Sequence, residues 1–163
     1  MPDFTVRSAT SEDAETVVTF INELAEYERL AAHARPNVNR LRIQLQPHAS
    51  PRLYCALAFH EAIPVGFAIG YQVYSTFQTS WNFHLEDFYV NETARGKGVG
   101  RALFRQMCRV AHELGCIQLD LEVLKWNKDA MAAYLKWGGA KDSGWSRVRF
   151  SARMIATHAS ASL

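Results

Sequence analysis

Several absences narrow the class of this chain before any motif is read. No apolar run approaches the ~20 residues of a membrane-spanning helix, so no membrane span is expected. The first residues, Met1-Pro2-Asp3-Phe4-Thr5, lack the basic stretch and apolar run of an export signal. Cysteine is scarce. Cys55, Cys108 and Cys116 make three, an odd number that suits reduced thiols in the cytoplasm better than a disulfide framework. Charge of one sign is also in short supply: a net +2 from dispersed basic residues, with no basic arm, argues against nucleic acid as a partner. There is no G-x-S-x-G or other nucleophile motif, and no cysteine has a paired histidine at a site-like position, which disfavours a covalent acyl-enzyme. Cys108, His112 and Cys116 are spaced by four, yet Gly115 ends their helix before the third. Two ligands do not make a metal site, so no metal is expected.

What remains is the composition of an ordinary globular protein, 48% hydrophobic and 21% charged over 163 residues. That length suits a single domain with a substantial core, taken here as residues 1–157, with 158–163 expected to fray. Phe4–Arg7 reads as a strand. Thr10-Ser11-Glu12-Asp13 resembles a capping box ahead of a helix carrying Ala14, Val17, Val18, Ile21, Leu24 and Ala25. Pro36, Pro47 and Pro51 loosen the next stretch around one short helix at Val38–Leu45. Leu53–Phe59, Val65–Tyr74 and Phe83–Val90 then read as three strands of a meander. A helix follows from Val99, with Leu103, Met107, Val110, Ala111 and Leu114 on one side and Gly115 as its stop. Ile117–Val123 alternates as a strand, Lys128–Trp137 is helical up to Gly138-Gly139, and Trp145–Ile155 is expected to close the chain as a strand. The order βαα-βββ-α-β-α-β describes an α/β domain with a mixed sheet.

The segment Arg95-Gly96-Lys97-Gly98-Val99-Gly100 lies between a strand-like and a helix-like run. Its glycines leave backbone N–H groups bare at a helix N-terminus, where a phosphate or pyrophosphate binds. The P-loop pattern does not fit, and Arg101 and Leu103 occupy the two positions at which a dinucleotide fingerprint needs its third small residue. The spacing that does match is [QR]-x-x-G-x-[GA], read as Arg95-x-x-Gly98-x-Gly100. It resembles the coenzyme A pyrophosphate loop of the GNAT N-acetyltransferases.

Three places could carry chemistry. Glu28 continues the apolar stripe of the first helix, either as its solvated end or as a carboxylate aimed into a cavity. Glu86 and Asp87 are adjacent on a strand, so simple alternation sends them to opposite faces, one of them among apolar neighbours. Tyr134 lies on the apolar side of its helix, either as a core tyrosine or with its hydroxyl turned to a reacting group.

Taken together, Leu85-Glu86-Asp87-Phe88-Tyr89-Val90, the glycine loop, Trp126-Asn127 and Tyr134 are similar to the spermidine/spermine and thialysine N-acetyltransferase family of the GNAT superfamily. Phe4-x-x-Arg7-x-Ala9-Thr10, Glu23-Leu24-Ala25-x-Tyr27-Glu28 and Gly144-Trp145 extend the resemblance over residues 4–150. It implies a GNAT-type, mostly antiparallel sheet flanked by helices, and acetyl transfer from acetyl-CoA directly to a primary amine of a small di- or polyamine or a lysine-like amino acid. By the resemblance, main-chain groups of Phe88, Tyr89 and Val90, the loop Arg95, Gly96, Lys97, Gly98, Val99, Gly100 and Arg101, and Asn127 would hold acetyl-CoA. Tyr134 would be the general acid, Glu86 the proton acceptor, and Glu28 and Asp87 the receivers of a cationic substrate. A homodimer is implied as well.

Polyamine enzymes of that family carry an acid and a tryptophan before the Leu-Glu-Asp strand. Here the stretch is Tyr74-Ser75-Thr76-Phe77-Gln78, which looks more like the thialysine branch. The other readings are an acetyltransferase for protein lysines or N-termini, and a non-catalytic CoA-binding module.

Overall fold

The structure, a computed structural model, describes residues 4–160. Met1, Pro2 and Asp3, on which part of the export-signal reading falls, lie outside the described residues. The chain forms two compact units, one running to Leu124 and one starting at Lys125.

The first unit is a five-stranded sheet in the order β1-β2-β3-β4-β5. Its strands are β1 (Thr5–Ser8), β2 (Tyr54–His60), β3 (Ile63–Ser75), β4 (Ser80–Val90) and β5 (Leu119–Leu121). Neighbours are antiparallel except β4 and β5, which run parallel. The sheet is mixed and mostly antiparallel, as the resemblance implies. β2 and β3 meet in a two-residue turn at Glu61 and Ala62, both at positive φ, so the hairpin is tighter than the five-residue link read from the sequence.

A 3-10 turn over Ser11–Asp13, closed by the capping box, leads into helix α1 (Ala14–Tyr27). The Thr10 N–H donates to Asp13 Oδ2 at 2.8 Å and the Glu12 N–H to Thr10 Oγ1 at 3.3 Å. Arg7 of β1 forks onto the same Asp13 at 2.7 and 2.8 Å, which holds that carboxyl down at about 2 and ties strand to helix.

The helices cover the two faces of the sheet. α1 and α2 (Val38–Gln44) pack Val17, Phe20, Leu24 and Leu41 onto Leu57, Phe67 and Ile69, with the Phe20 and Phe67 rings stacked at 5.7 Å. α3 (Val99–Glu113) lays Val99, Leu103, Met107 and Ala111 on Ala56, Ala68, Phe83 and Leu85 of the other face. Each helix presents one apolar stripe and each strand alternates, so these contacts follow from periods of 3.6 and 2.

The second unit holds α4 (Lys128–Lys136), which stops before Gly138 at φ +102°, and α5 (Ala152–Ala159). The strand expected over Trp145–Ile155 is not formed. Residues 145–150 take no strand pairing, and the chain turns helical after Ser151, whose Oγ accepts from the Met154 N–H at 3.3 Å. An N-cap serine followed by Ala-Arg-Met is a strong local helix start, and it prevails where no neighbouring ladder is engaged. His158 and Ala159 form the last turn of this helix instead of a frayed tail, and residues 161–163 lie outside the described residues. β5 is also shorter than the Ile117–Val123 read from the sequence. Among the described residues, no helix is long and apolar enough to cross a membrane.

Candidate functional site

The sequence-predicted acids gather where β4 leaves its regular course. Ile69 pairs with Asp87 while the next residue of β3, Gly70, pairs with Leu85, so Glu86 is the extra residue of a β-bulge. Gly70 is where the two strands close in: a Cβ there would lie 2.4 Å from the His84 carbonyl and 2.5 Å from the Phe83 ring. The bulge corrects the expectation that Glu86 and Asp87 point to opposite faces. Asp87 sits opposite Ile69, whose side chain belongs to the α1 face. Glu86 is held on that same face, by the hydroxyl of Tyr71 at 3.1 Å. The extra residue cancels the alternation that would otherwise separate them.

Proximity raises the proton affinity of Asp87. Its carboxyl is pushed up to about 6, by burial first and then by the charges of Glu86 and Glu28. Glu28, part-buried, caps the C-terminus of α1, and burial raises the proton affinity of its carboxyl. Three acids of the first unit thus share one region.

Beside them the sheet forks. β4 and β5 pair at Phe83–Leu119, His84–Asp120 and Leu85–Leu121, and there the ladder stops while β4 runs on to Val90. The ladder with β5 does not extend to residues 86–90. At the end of β4 the chain turns into the glycine loop. Gly96 and Gly98 take φ of +74° and +89°, which glycine adopts without strain, and Gly98 is the residue from which α3 starts. The first bond into α3 comes from the Ala102 N–H to the Gly98 carbonyl. The N–H groups of Val99, Gly100 and Arg101 are therefore first-turn donors with no partner inside the helix.

Residues 18–139 match the Acetyltransferase (GNAT) family. The chain belongs to that family. It is 35% identical to a thialysine N-epsilon-acetyltransferase of Sus scrofa, over 92% of this chain and 94% of that protein. With a thialysine N-epsilon-acetyltransferase of Caenorhabditis elegans it shares 31% identity, over 82% of this chain and 81% of that one. Among solved structures, an integron cassette protein from V. cholerae superposes with a TM-score of 0.77 over 98% of this chain and 99% of that one. At 20% identity, that likeness speaks for the fold alone.

As a GNAT enzyme the chain is an N-acetyltransferase acting on an amine, and the family takes its acetyl group from acetyl-CoA. The residues present fit such a donor. β4 runs on past the end of its ladder with β5, and the left-handed glycines present a row of N–H donors at the positive end of α3. Lys97 and Arg101 of the loop are exposed and free to face solvent-borne phosphate charge.

Arg95 behaves differently from the rest of the loop. Its Nε donates to the Val90 carbonyl at 2.9 Å, and its guanidinium lies 4.7 Å from the Tyr27 ring and 5.8 Å from the Tyr89 ring. It pins the loop to the end of α1.

Asn127 and Tyr134 belong to the second unit. Asn127 caps α4, its Oδ1 accepting from the Ala130 N–H at 3.2 Å. Tyr134 is half-buried two turns further on, its ring set edgewise to Trp137 at 5.6 Å.

One group escaped the sequence reading: His84, with Tyr71 and Asp120 around it. The available signal was the two-residue spacing from His84 to Glu86, which places both on one face, and the polar side of Gln118-Asp120-Glu122. Among the described residues, no three His, Cys, Asp or Glu side chains are grouped as a metal site.

Proposed function

We propose that this enzyme acetylates one amino group of a compact substrate carrying two: thialysine, a lysine-like diamino acid or a short diamine. The observation that carries the reading is the convergence of Glu28, Glu86 and Asp87 beside the β4–β5 fork. An ammonium group entering there would neutralise a carboxyl that burial and two like charges now disfavour as an anion. Glu28 and Asp87 suit the anchoring ammonium, and Glu86 suits the amine that reacts.

An alkyl ammonium of pKa ~10.4 leaves about one molecule in ~2,500 as the free amine at neutral pH, a handicap of ~4–5 kcal/mol. Glu86, through a water, takes that proton. Acetyl-CoA supplies the acetyl group as an activated thioester. The backbone of Phe88, Tyr89 and Val90, the loop Arg95–Arg101 and Asn127 would hold it, and main-chain N–H groups would steady charge on the carbonyl oxygen. The free amine would attack the thioester carbonyl, the C–S bond would break as the amide forms, and Tyr134 would give its phenolic proton to the departing thiolate.

The family match runs unbroken across Leu124 and Lys125, which supports both units acting as one acetyltransferase domain, residues 1–157. Three free cysteines suit a reducing, cytoplasmic setting, and a homodimer follows from the family resemblance.

The test is kcat/KM for thialysine, putrescine, spermidine and spermine, measured on the wild type and on Tyr134→Phe. Compact substrates are expected to lead, and the variant to lose ~10²–10⁴-fold with every one of them. Preference for spermine overturns the substrate class. An unimpaired Tyr134→Phe overturns the acid.

A further inference from the structure

His84 stands at the root of the fork, on the last rung but one of the β4–β5 ladder, directly across from Asp120. Its ring is nearly enclosed, with 13% of the side chain exposed, whereas Glu86 and Asp120 are about half exposed at 48% and 46%. Nδ1 lies 2.5 Å from Asp120 Oδ1 and Nε2 lies 3.2 Å from Glu86 Oε2. That same Oε2 accepts the Tyr71 hydroxyl, and the Tyr71 and His84 rings are 5.4 Å apart. Among the described residues, the titratable groups facing the ring are thus Asp120 from β5, Glu86 from its own strand and Tyr71 from β3.

At the bulge, the Glu86 side chain lies on the face that carries His84 and Tyr71. We propose that His84, anchored by Asp120, is a positioning residue that holds the Glu86 carboxylate ready to take the proton of the reacting amine. The inference rests on the reading of Glu86 as proton acceptor. A ring flanked by carboxylates can serve both only as the imidazolium, which donates from each nitrogen. Hydrogen bonds from Asp120 first and Glu86 second push His84 up to about 9, against the opposing effect of burial. The ring therefore stays charged at neutral pH, and Asp120 is the larger reason. Asp120 acts at one remove: it keeps the proton on the ring, and the ring keeps Glu86 in place.

The experiment is Asp120→Asn, followed by imidazole NMR and by steady-state kinetics at about pH 6 and about pH 8.5. The His84 titration should fall from about 9 toward the ordinary ~6.5. Relative to wild type, kcat should drop ~10-fold at about pH 8.5, where the ring is now neutral, and less than ~2-fold at about pH 6, with KM for acetyl-CoA unchanged. A moved titration with kcat intact at both pH values overturns the proposal, and so does an equal loss at both, which would mark Asp120 as a fold support only.

If Asp120→Asn does not fold, His84→Gln and His84→Ala decide. Glutamine can still donate to Glu86 and should retain several-fold more kcat than alanine; equal activities overturn the proposal. Glu86→Gln serves as the reference. If it turns over like wild type, the failure lies in the reading of Glu86 itself and not in the link to His84.

Discussion

The two faces of β4 are built from one strand yet carry opposite chemistry. Toward α3 it presents Phe83 and Leu85, both essentially sealed from solvent, and the buried Val90. Toward α1, where β2 and β3 contribute Leu57, Phe67 and Ile69, β4 contributes His84, Glu86 and Asp87. On the first of these faces β4 contributes no group that titrates, and its stability comes from apolar area removed from water. The other crowds ionisable groups into partial burial, where each costs free energy in its charged form. Alternation lets a single strand do both, because neighbouring residues see different surroundings. The bulge then adds a second acid to the side that already had one. The face that secures the fold and the face that carries the chemistry can therefore be perturbed separately.

The largest expected effect comes from the apolar side. Phe83→Ala should cost ~3–5 kcal/mol in urea unfolding while leaving turnover per folded molecule near wild type, because the ring is fully buried and packs against Tyr54. A loss below ~1 kcal/mol, or a collapse of turnover in the folded variant, would break the division between the faces.

Next is Asp87→Asn, where the sign should reverse. The folded pKa of about 6 lies above the unfolded ~3.9, so the neutral carboxyl is the form the fold prefers. Its contribution is fully present below ~3.9 and is lost as pH rises through about 6. Asparagine mimics the neutral form, so the variant should be up to ~3 kcal/mol more stable than wild type at pH ~7.5 and equal to it near pH ~3.5. Its kcat/KM for amines should fall at the same time. Destabilisation at pH ~7.5 would mean that the carboxylate already has an attractive partner in the free protein.

The smallest stability effect belongs to the loop that joins the two environments. Gly98→Val places a branched residue at φ +89°, with Phe4 the nearest side chain at 3.9 Å, so strain in the backbone matters more than lack of space. About 1–2 kcal/mol of stability should be lost. Acetyl-CoA affinity by calorimetry should weaken at least ~10-fold, because the turn that aims the N–H groups is altered. Unchanged affinity in a folded variant would remove the loop from the donor site.

The parts that were legible in the sequence are those whose causes are local. The Thr10–Asp13 capping box, the apolar stripe of α3 and the turn at Gly96 and Gly98 depend on residues a few positions apart, and the structure forms each of them. The acids Glu28, Glu86 and Asp87 could be named from their neighbours. Their shared face could not, because the bulge arises from how Gly70 of β3 meets β4. His84 and Asp120 are 36 residues apart and meet only through a strand register that no local pattern encodes. Arg95 could be read as a loop residue, but the contact of its side chain with Tyr27 and Tyr89 could not, being set by where α1 ends. At Trp145–Ile155, alternation suggested a strand, and the serine cap with its helix-forming successors prevailed.

The length of β4 beyond Leu85 also bears on how the protein keeps in solution. A strand edge with bare amides and carbonyls is a template for any extended chain that drifts against it, including another copy of the same protein. Here β4 runs past the end of its ladder with β5 as far as Val90. A long thin ligand seated along that edge would then act as a guard as well as a reagent, and protein prepared with it should clump less than protein prepared without.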